Sequence, residues 1–79
     1  MEKMKLKDGT IIEYDYSFGM TFFATKYTID ELESKLTKDN LTSVEFTTNS
    51  DGIFGIYNNL ELMSISKNYI TKEISIELV

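Results

Sequence analysis

The chain has 79 residues, thirteen acidic side chains against eight lysines, and a net charge of −5 at pH 7. It has no cysteine, histidine, proline, tryptophan, arginine or glutamine. Those absences exclude a disulfide framework, remove the commonest general bases, nucleophiles and transition-metal ligands, and leave no arginine-bearing basic stripe for a phosphate backbone.

A chain of this length makes one domain, residues 1–79, with a modest expected stability of about 4–10 kcal/mol. No apolar run approaches the roughly 18 residues of a membrane span. The start of the chain carries charges and a strand pattern, so no signal peptide is expected. Missing cysteine fits a reducing compartment, and the sequon Asn40-Leu41-Thr42 is then a chance occurrence.

Met4 and Leu6 alternate with Lys3, Lys5 and Lys7, which predicts a half-buried strand with a solvated lysine face. Asp8-Gly9 follows as a hairpin signal of the type I′ kind, which needs positive φ at both central positions. The return strand, Thr10 to Phe18, places Ile12, Tyr14, Tyr16 and Phe18 on a core face, with Glu13 and Asp15 on a wet one. After Gly19, Met20 to Tyr27 is rich in strand formers, but Phe22 and Phe23 are adjacent and must point to opposite faces.

Thr28 to Leu36, TIDELESKL, is the one convincing helix. Thr28 and Glu31 form a capping box, and acidic residues in the first turn oppose lysines near the end. Ile29, Leu32 and Leu36 make a single apolar stripe, so the helix needs a sheet to lie on.

Past a polar loop at Thr37–Asn40, Ser43 to Thr48 reads as a strand with Val44 and Phe46 inward. Asn49 to Gly52 is a turn, and Ile53 to Tyr57 is a strand apolar on both faces with Gly55 inside it. Leu60 to Ser66 continues as strand, with a bulge expected where parity slips between Leu62 and Met63. Lys67 to Thr71 is a turn containing Tyr69, and Lys72 to Val79 closes the chain with Ile74, Ile76 and Leu78 inward.

The order β-β-β-α-β-β-β-β with short links predicts an α+β domain. Its expected form is one curved, mostly antiparallel sheet of about six or seven short strands with the helix packed on one face. A small barrel plugged by the helix is the alternative.

Little chemistry presents itself. Glu13 and Asp15 would stand about 7 Å apart on one strand face, a workable carboxylate spacing but more often a solvated one. Counting an EF-hand loop from Thr47, Asn49, Asp51 and Gly52 fit, whereas Thr47 and Asn58 at the first and twelfth positions do not, so the stretch reads as a hairpin turn. No catalytic residue, cofactor or metal is expected. Phe22 or Phe23, Phe54 or Ile56, and Tyr57 cannot all face one core, so Phe22, Phe23, Phe54 and Tyr57 are the partner-contact candidates.

The succession Lys5-Leu6-Lys7-Asp8-Gly9-Thr10, Ile29-Asp30-Glu31-Leu32-Glu33, Leu41-Thr42-Ser43-Val44-Glu45-Phe46, Asp51-Gly52, Tyr57-Asn58-Asn59-Leu60 and Ser64-Ile65-Ser66 resembles small proteins encoded among the tail and baseplate genes of phages and prophages of Gram-positive bacteria. The resemblance implies a non-enzymatic structural or tail-assembly accessory protein in the cytoplasm of the bacterial host, open to incorporation in the virion and to homo-oligomerisation. Its partners would be phage tail and assembly proteins, with no direct nucleic-acid contact and no membrane. The alternative is an acidic inhibitor of a host defence protein, with Glu13, Asp15, Glu73 and Glu77 imitating a phosphate row.

Overall fold

The computed structural model describes residues 2–50 and 53–79, and the side chains of all of these except 47–50. Within them the chain runs β1 (Glu2–Lys5), β2 (Ile11–Tyr14), β3 (Tyr16–Phe18), β4 (Thr21–Ala24), α1 (Ile29–Lys35), a 3-10 turn (Asn40–Thr42), β5 (Ser43–Ser50), β6 (Ile53–Asn58), β7 (Leu62–Lys67) and β8 (Ile74–Leu78). The α+β class is as expected, but the single sheet becomes two antiparallel four-stranded sheets, ordered β2-β1-β5-β6 and β3-β4-β8-β7, and they do not close into a barrel. The turn expected at Asn49–Gly52 lies outside the described residues at Asp51 and Gly52, as does that part of the stretch weighed as a calcium loop.

The split arises at Asp15. The expected strand Thr10–Phe18 breaks there, and Asp15 N–H donates to the Phe23 carbonyl (2.7 Å), so the chain leaves the first sheet and enters the second. A strand that turns the corner between packed sheets loses its two-residue period at the bend. Ile12 and Tyr14 point inward as expected, but beyond the bend Ser17 is the inward residue, and Tyr16 and Phe18 stand on the outer surface.

The first hairpin also differs. Gly9 has φ +91° and no positive φ occurs at Asp8, which rules out type I′. Leu6 N–H donates to Thr10 O (2.8 Å) and Gly9 N–H to Leu6 O (2.9 Å), a three-residue loop ending on a left-handed glycine. Asp8 Oδ1 accepts from Thr10 N–H (2.9 Å), and hydrogen bonds from the Thr10 side chain and backbone hold its carboxyl below the usual range.

The core lies between the sheets. Met4, Ile12, Phe22, Ala24, Leu32, Val44 and Ile76 are fully buried. Aromatic rings cross it in sequence: Tyr14 stacks on Phe22 (4.9 Å), Phe22 meets Phe46 edge-on (5.2 Å), and Phe46 meets Tyr57 edge-on (5.3 Å). Such contacts each add about 0.5–1.5 kcal/mol beyond area burial. Burial, with the Glu2 charge behind it, pushes the Tyr14 phenol up to about 12.

The helix is built as its sequence requires. Thr28 Oγ1 accepts from Glu31 N–H (3.1 Å), and Glu31 Oε1 accepts from Thr28 N–H (3.0 Å). Leu32 and Leu36 enter the core, with Ile29 half-buried beside them. Asn40, just beyond, ties the helix end to the first hairpin. Its Nδ2 donates to Lys35 O (2.8 Å) and to Asp8 Oδ2 (3.2 Å), and its carbonyl accepts from Lys7 N–H (3.2 Å). Among the described residues no helix is long and apolar enough to cross a membrane.

Candidate interaction surface

Each sheet has two outer strands, and they are treated differently. Along β2 and β3 the seam is sealed. Besides the Asp15–Phe23 bond, the Tyr27 hydroxyl accepts from Glu13 N–H (2.9 Å) and so caps a donor on the edge of β2. Lys26 Nζ lies 3.0 Å from Glu13 Oε1, and Thr25 Oγ1 donates to Asp15 Oδ2 (2.9 Å). The Lys26 hydrogen bond and charge lower the Glu13 pKa. The two carboxylates weighed above as a reactive pair are thus each held by a different residue of the segment after β4. Among the described residues no three acidic side chains gather to hold a metal ion.

On the opposite side the helix α1 packs against β7, and β6 is the open strand. Among the described residues neither β6 nor β7 has a second neighbour in its sheet. β6 places Phe54 (62% exposed) and Ile56 (63%) together on its outer face. β7 carries the expected bulge, a register shift between Leu62 and Ser64 that leaves Met63 63% exposed. From Ile53 to Leu60 the chain has no charged residue. Natural outer strands are usually blunted by lysine, proline or inward charge, and β6 has none of these.

Where β6 passes into β7, a surface pocket of about 320 Å³ opens over Leu36, Leu41, Leu60 and Leu62, with Lys38 and Glu61 at its mouth. Leu36 and Leu41 are buried, so the floor is core seen from outside. The residues after β6 fix this corner: Asn59 N–H donates to Thr42 O (3.0 Å) and Leu60 N–H to Leu41 O (2.9 Å).

The four contact candidates part company. Phe22 is wholly buried, stacked on Tyr14 and edge-on to Phe46, so it is a core residue and not a contact. The pair of adjacent phenylalanines is resolved in the expected way, one in and one out, with Phe22 the inward member. Phe23 is half-buried on the outer face of the second sheet under Tyr16, their rings 4.6 Å apart and nearly parallel. The bond to the Glu73 carboxylate, and then burial, raise the Tyr16 pKa. Phe54 is exposed on the first sheet, and Tyr57 is half-buried against Phe46. The structure brings Phe54 and Tyr57 to one strand and leaves Phe23 on the other sheet.

Three exposed groups escape a sequence reading. Phe18 is exposed because of the bend at Asp15. The pocket depends on how the helix end meets the β6–β7 corner. Tyr69 (73% exposed) and Ile70 (92%) stand at the tip of the β7–β8 hairpin. Ile70 did leave a signal, a branched apolar residue among the turn formers of Asn68 to Lys72.

No protein-family model matches this chain, no curated protein matches it in sequence, and no solved structure matches it.

Proposed function

We propose that this protein is a non-enzymatic binding module that docks a protein partner along the open outer strand β6, in the role of a phage structural or tail-assembly accessory. The observation that carries the binding half of the reading is the outward pair Phe54 and Ile56, more than half exposed on an uncharged strand with no second neighbour. An extended segment of a partner can add to such an edge, main-chain hydrogen bonds supplying affinity and the two apolar side chains supplying selectivity. The phage-assembly half rests on the resemblance of the strand–turn succession to small tail-region proteins. The acidic-inhibitor reading has less to stand on. Glu13, Asp15, Glu73 and Glu77 are each engaged by a side chain of the same chain, with Lys26, Thr25, Tyr16 and Ser64 respectively, and do not form a free row of carboxylates.

The test is affinity capture of the tagged chain from its source cells after prophage induction, beside an Ile56→Lys variant. Tail or baseplate components retained by the native chain through high salt and lost by the variant are the expected result, because an apolar contact is little screened. Capture of a host nuclease that falls away steeply with ionic strength overturns it.

A further inference from the structure

The tip of the β7–β8 hairpin is a rigid platform. Asn68 N–H donates to Glu73 O (2.8 Å) and Lys72 N–H to Asn68 O (2.7 Å), while Asn68 Oδ1 accepts from Ile70 N–H (2.9 Å) and Thr71 N–H (3.2 Å). Lys72 is held at φ +68°, a left-handed conformation that disfavours a side chain and persists only where its surroundings enforce it. Lys67 Nζ lies 5.5 Å above the Tyr69 ring and draws that ring back along the hairpin. Ile70 is left as a single apolar knob, 92% exposed, on a loop with little freedom to lose on binding.

The other end of the same hairpin lines the apolar pocket. Leu62, opposite Leu78 in the register, is in the pocket wall, whereas Lys67, opposite Ile74, adjoins the tip. Knob and pocket therefore lie at opposite ends of one hairpin, about 17 Å apart along the strand at 3.4 Å per residue. One molecule cannot place its own knob in its own pocket. A pocket of about 320 Å³ is ample for one branched side chain, since roughly 150 Å³ accommodates a benzene-sized guest. The charges agree as well. Lys38 and Glu61 line the pocket, and the exposed Lys72 follows the knob, so Lys72 of one copy can meet Glu61 of the next. Among the described residues neither Lys38 nor Glu61 has an ion pair of its own.

We infer that the chain associates head to tail with a second copy of itself, the Ile70 knob of one molecule seated in the Leu36–Leu41–Leu60–Leu62 pocket of the next. Such a contact is heterologous: it leaves a knob free at one end and a pocket free at the other, and so builds rings or filaments rather than closed pairs. Ile70 and Tyr69 together bring roughly 300 Å² of surface, well under the ≈ 800 Å² per partner of a stable interface. A single contact is therefore weak, and assembly depends on ring closure or local concentration. This association uses neither Phe54 nor Ile56, so it stands or falls independently of docking along β6.

Sedimentation equilibrium on two exposed-site variants tests it. Ile70→Asp removes the knob and keeps the pocket. Glu61→Trp crowds the mouth and keeps the knob. Native protein should show a weight-average mass that climbs past that of a dimer as concentration approaches about 1 mM, in keeping with a weak small interface. Each variant alone should be monomeric, with association weakened at least ~10-fold. Mixed together, the two should form a one-to-one dimer and nothing larger, because one productive contact remains. Retained melting temperatures and amide shifts confined to Tyr69, Ile70 and the pocket leucines on dilution of native protein would support the same contact. A native chain that stays monomeric at about 1 mM overturns the inference. So does association that survives Ile70→Asp, or a mixture that fails to pair.

Discussion

Where β2 turns into β3, the edge of one sheet is joined to the other by the Asp15–Phe23 bond, the Tyr27 cap on Glu13 and the Lys26 ion pair. On the opposite side α1 packs against β7, but among the described residues no such bonds seal β6, and Phe54, Ile56 and Met63 are exposed. The same small domain thus contains a finished edge and an unfinished one. The finished side shows what this chain does to an edge it protects: it caps the Glu13 N–H, bonds the Asp15 N–H across to β4, and ties both carboxylates to the segment after β4. The apolar edge of β6 in the same molecule is the ground on which we propose a partner there.

The contrast breaks first at the core ring system. Phe22→Ala removes the ring that joins Tyr14 to Phe46 and should cost about 3–5 kcal/mol, read by urea titration. A loss under about 1 kcal/mol would mean that the two sheets are not held by this stack. Leu32→Ala, on the buried stripe of α1, should cost about 2–4 kcal/mol in the same titration. Tyr27→Phe comes next. It keeps the ring and leaves Glu13 N–H without its acceptor, for about 1–2 kcal/mol and faster amide exchange at Glu13. Unchanged exchange there would mean that the β2 edge is protected by something other than the hydroxyl.

Glu13→Gln is smaller still. The Glu13 carboxyl is held below its ordinary value of 4.5 by Lys26, so its contribution is present above that pH and is lost as pH falls through the lower folded value. The variant should lower the melting temperature at pH 7 by less than about 4 °C, as for an exposed pair, and should flatten the loss of stability as pH falls below the ordinary carboxylate value of 4.5. An equally steep acid limb in the variant would assign that loss to other carboxylates.

Several of these features were legible in residue order, and the reasons are local. The capping box needs only Thr28 and Glu31 three apart, and the bulge at Met63 shows as a slip in alternation. Phe46, Ile74, Ile76 and Leu78 follow the two-residue period into the core. What escaped depends on long-range geometry. Nothing local says that Asp15 bonds to Phe23 and ends a strand whose alternation runs unbroken through it, so one sheet was expected where there are two, and Tyr16 and Phe18 were placed inside. Asn40 read as part of a chance sequon. Its part as a clamp between α1 and the first hairpin depends on Asp8, 32 positions away. Of the contact candidates, Phe54 stayed outside because it alternates onto the outer face of its sheet, and Phe22 went inside, paired with Ile76 on β8 and edge-on to Phe46 of β5.

The smallest effect on stability belongs to Phe54, and there the two sides should differ most in kind. Its side chain is mostly in water already, so Phe54→Ala and Phe54→Lys should both change unfolding free energy by less than about 0.5 kcal/mol. Phe22→Ala, at a residue of the same type, should cost several times that. If β6 is a docking strand, Phe54→Lys should nonetheless release the captured partner, because a charge then replaces an apolar contact in a desolvated interface. A variant that loses stability and keeps its partner would invert the contrast: Phe54 would then be holding the fold together, and the apolar face of β6 would be a thicker core instead of an interface.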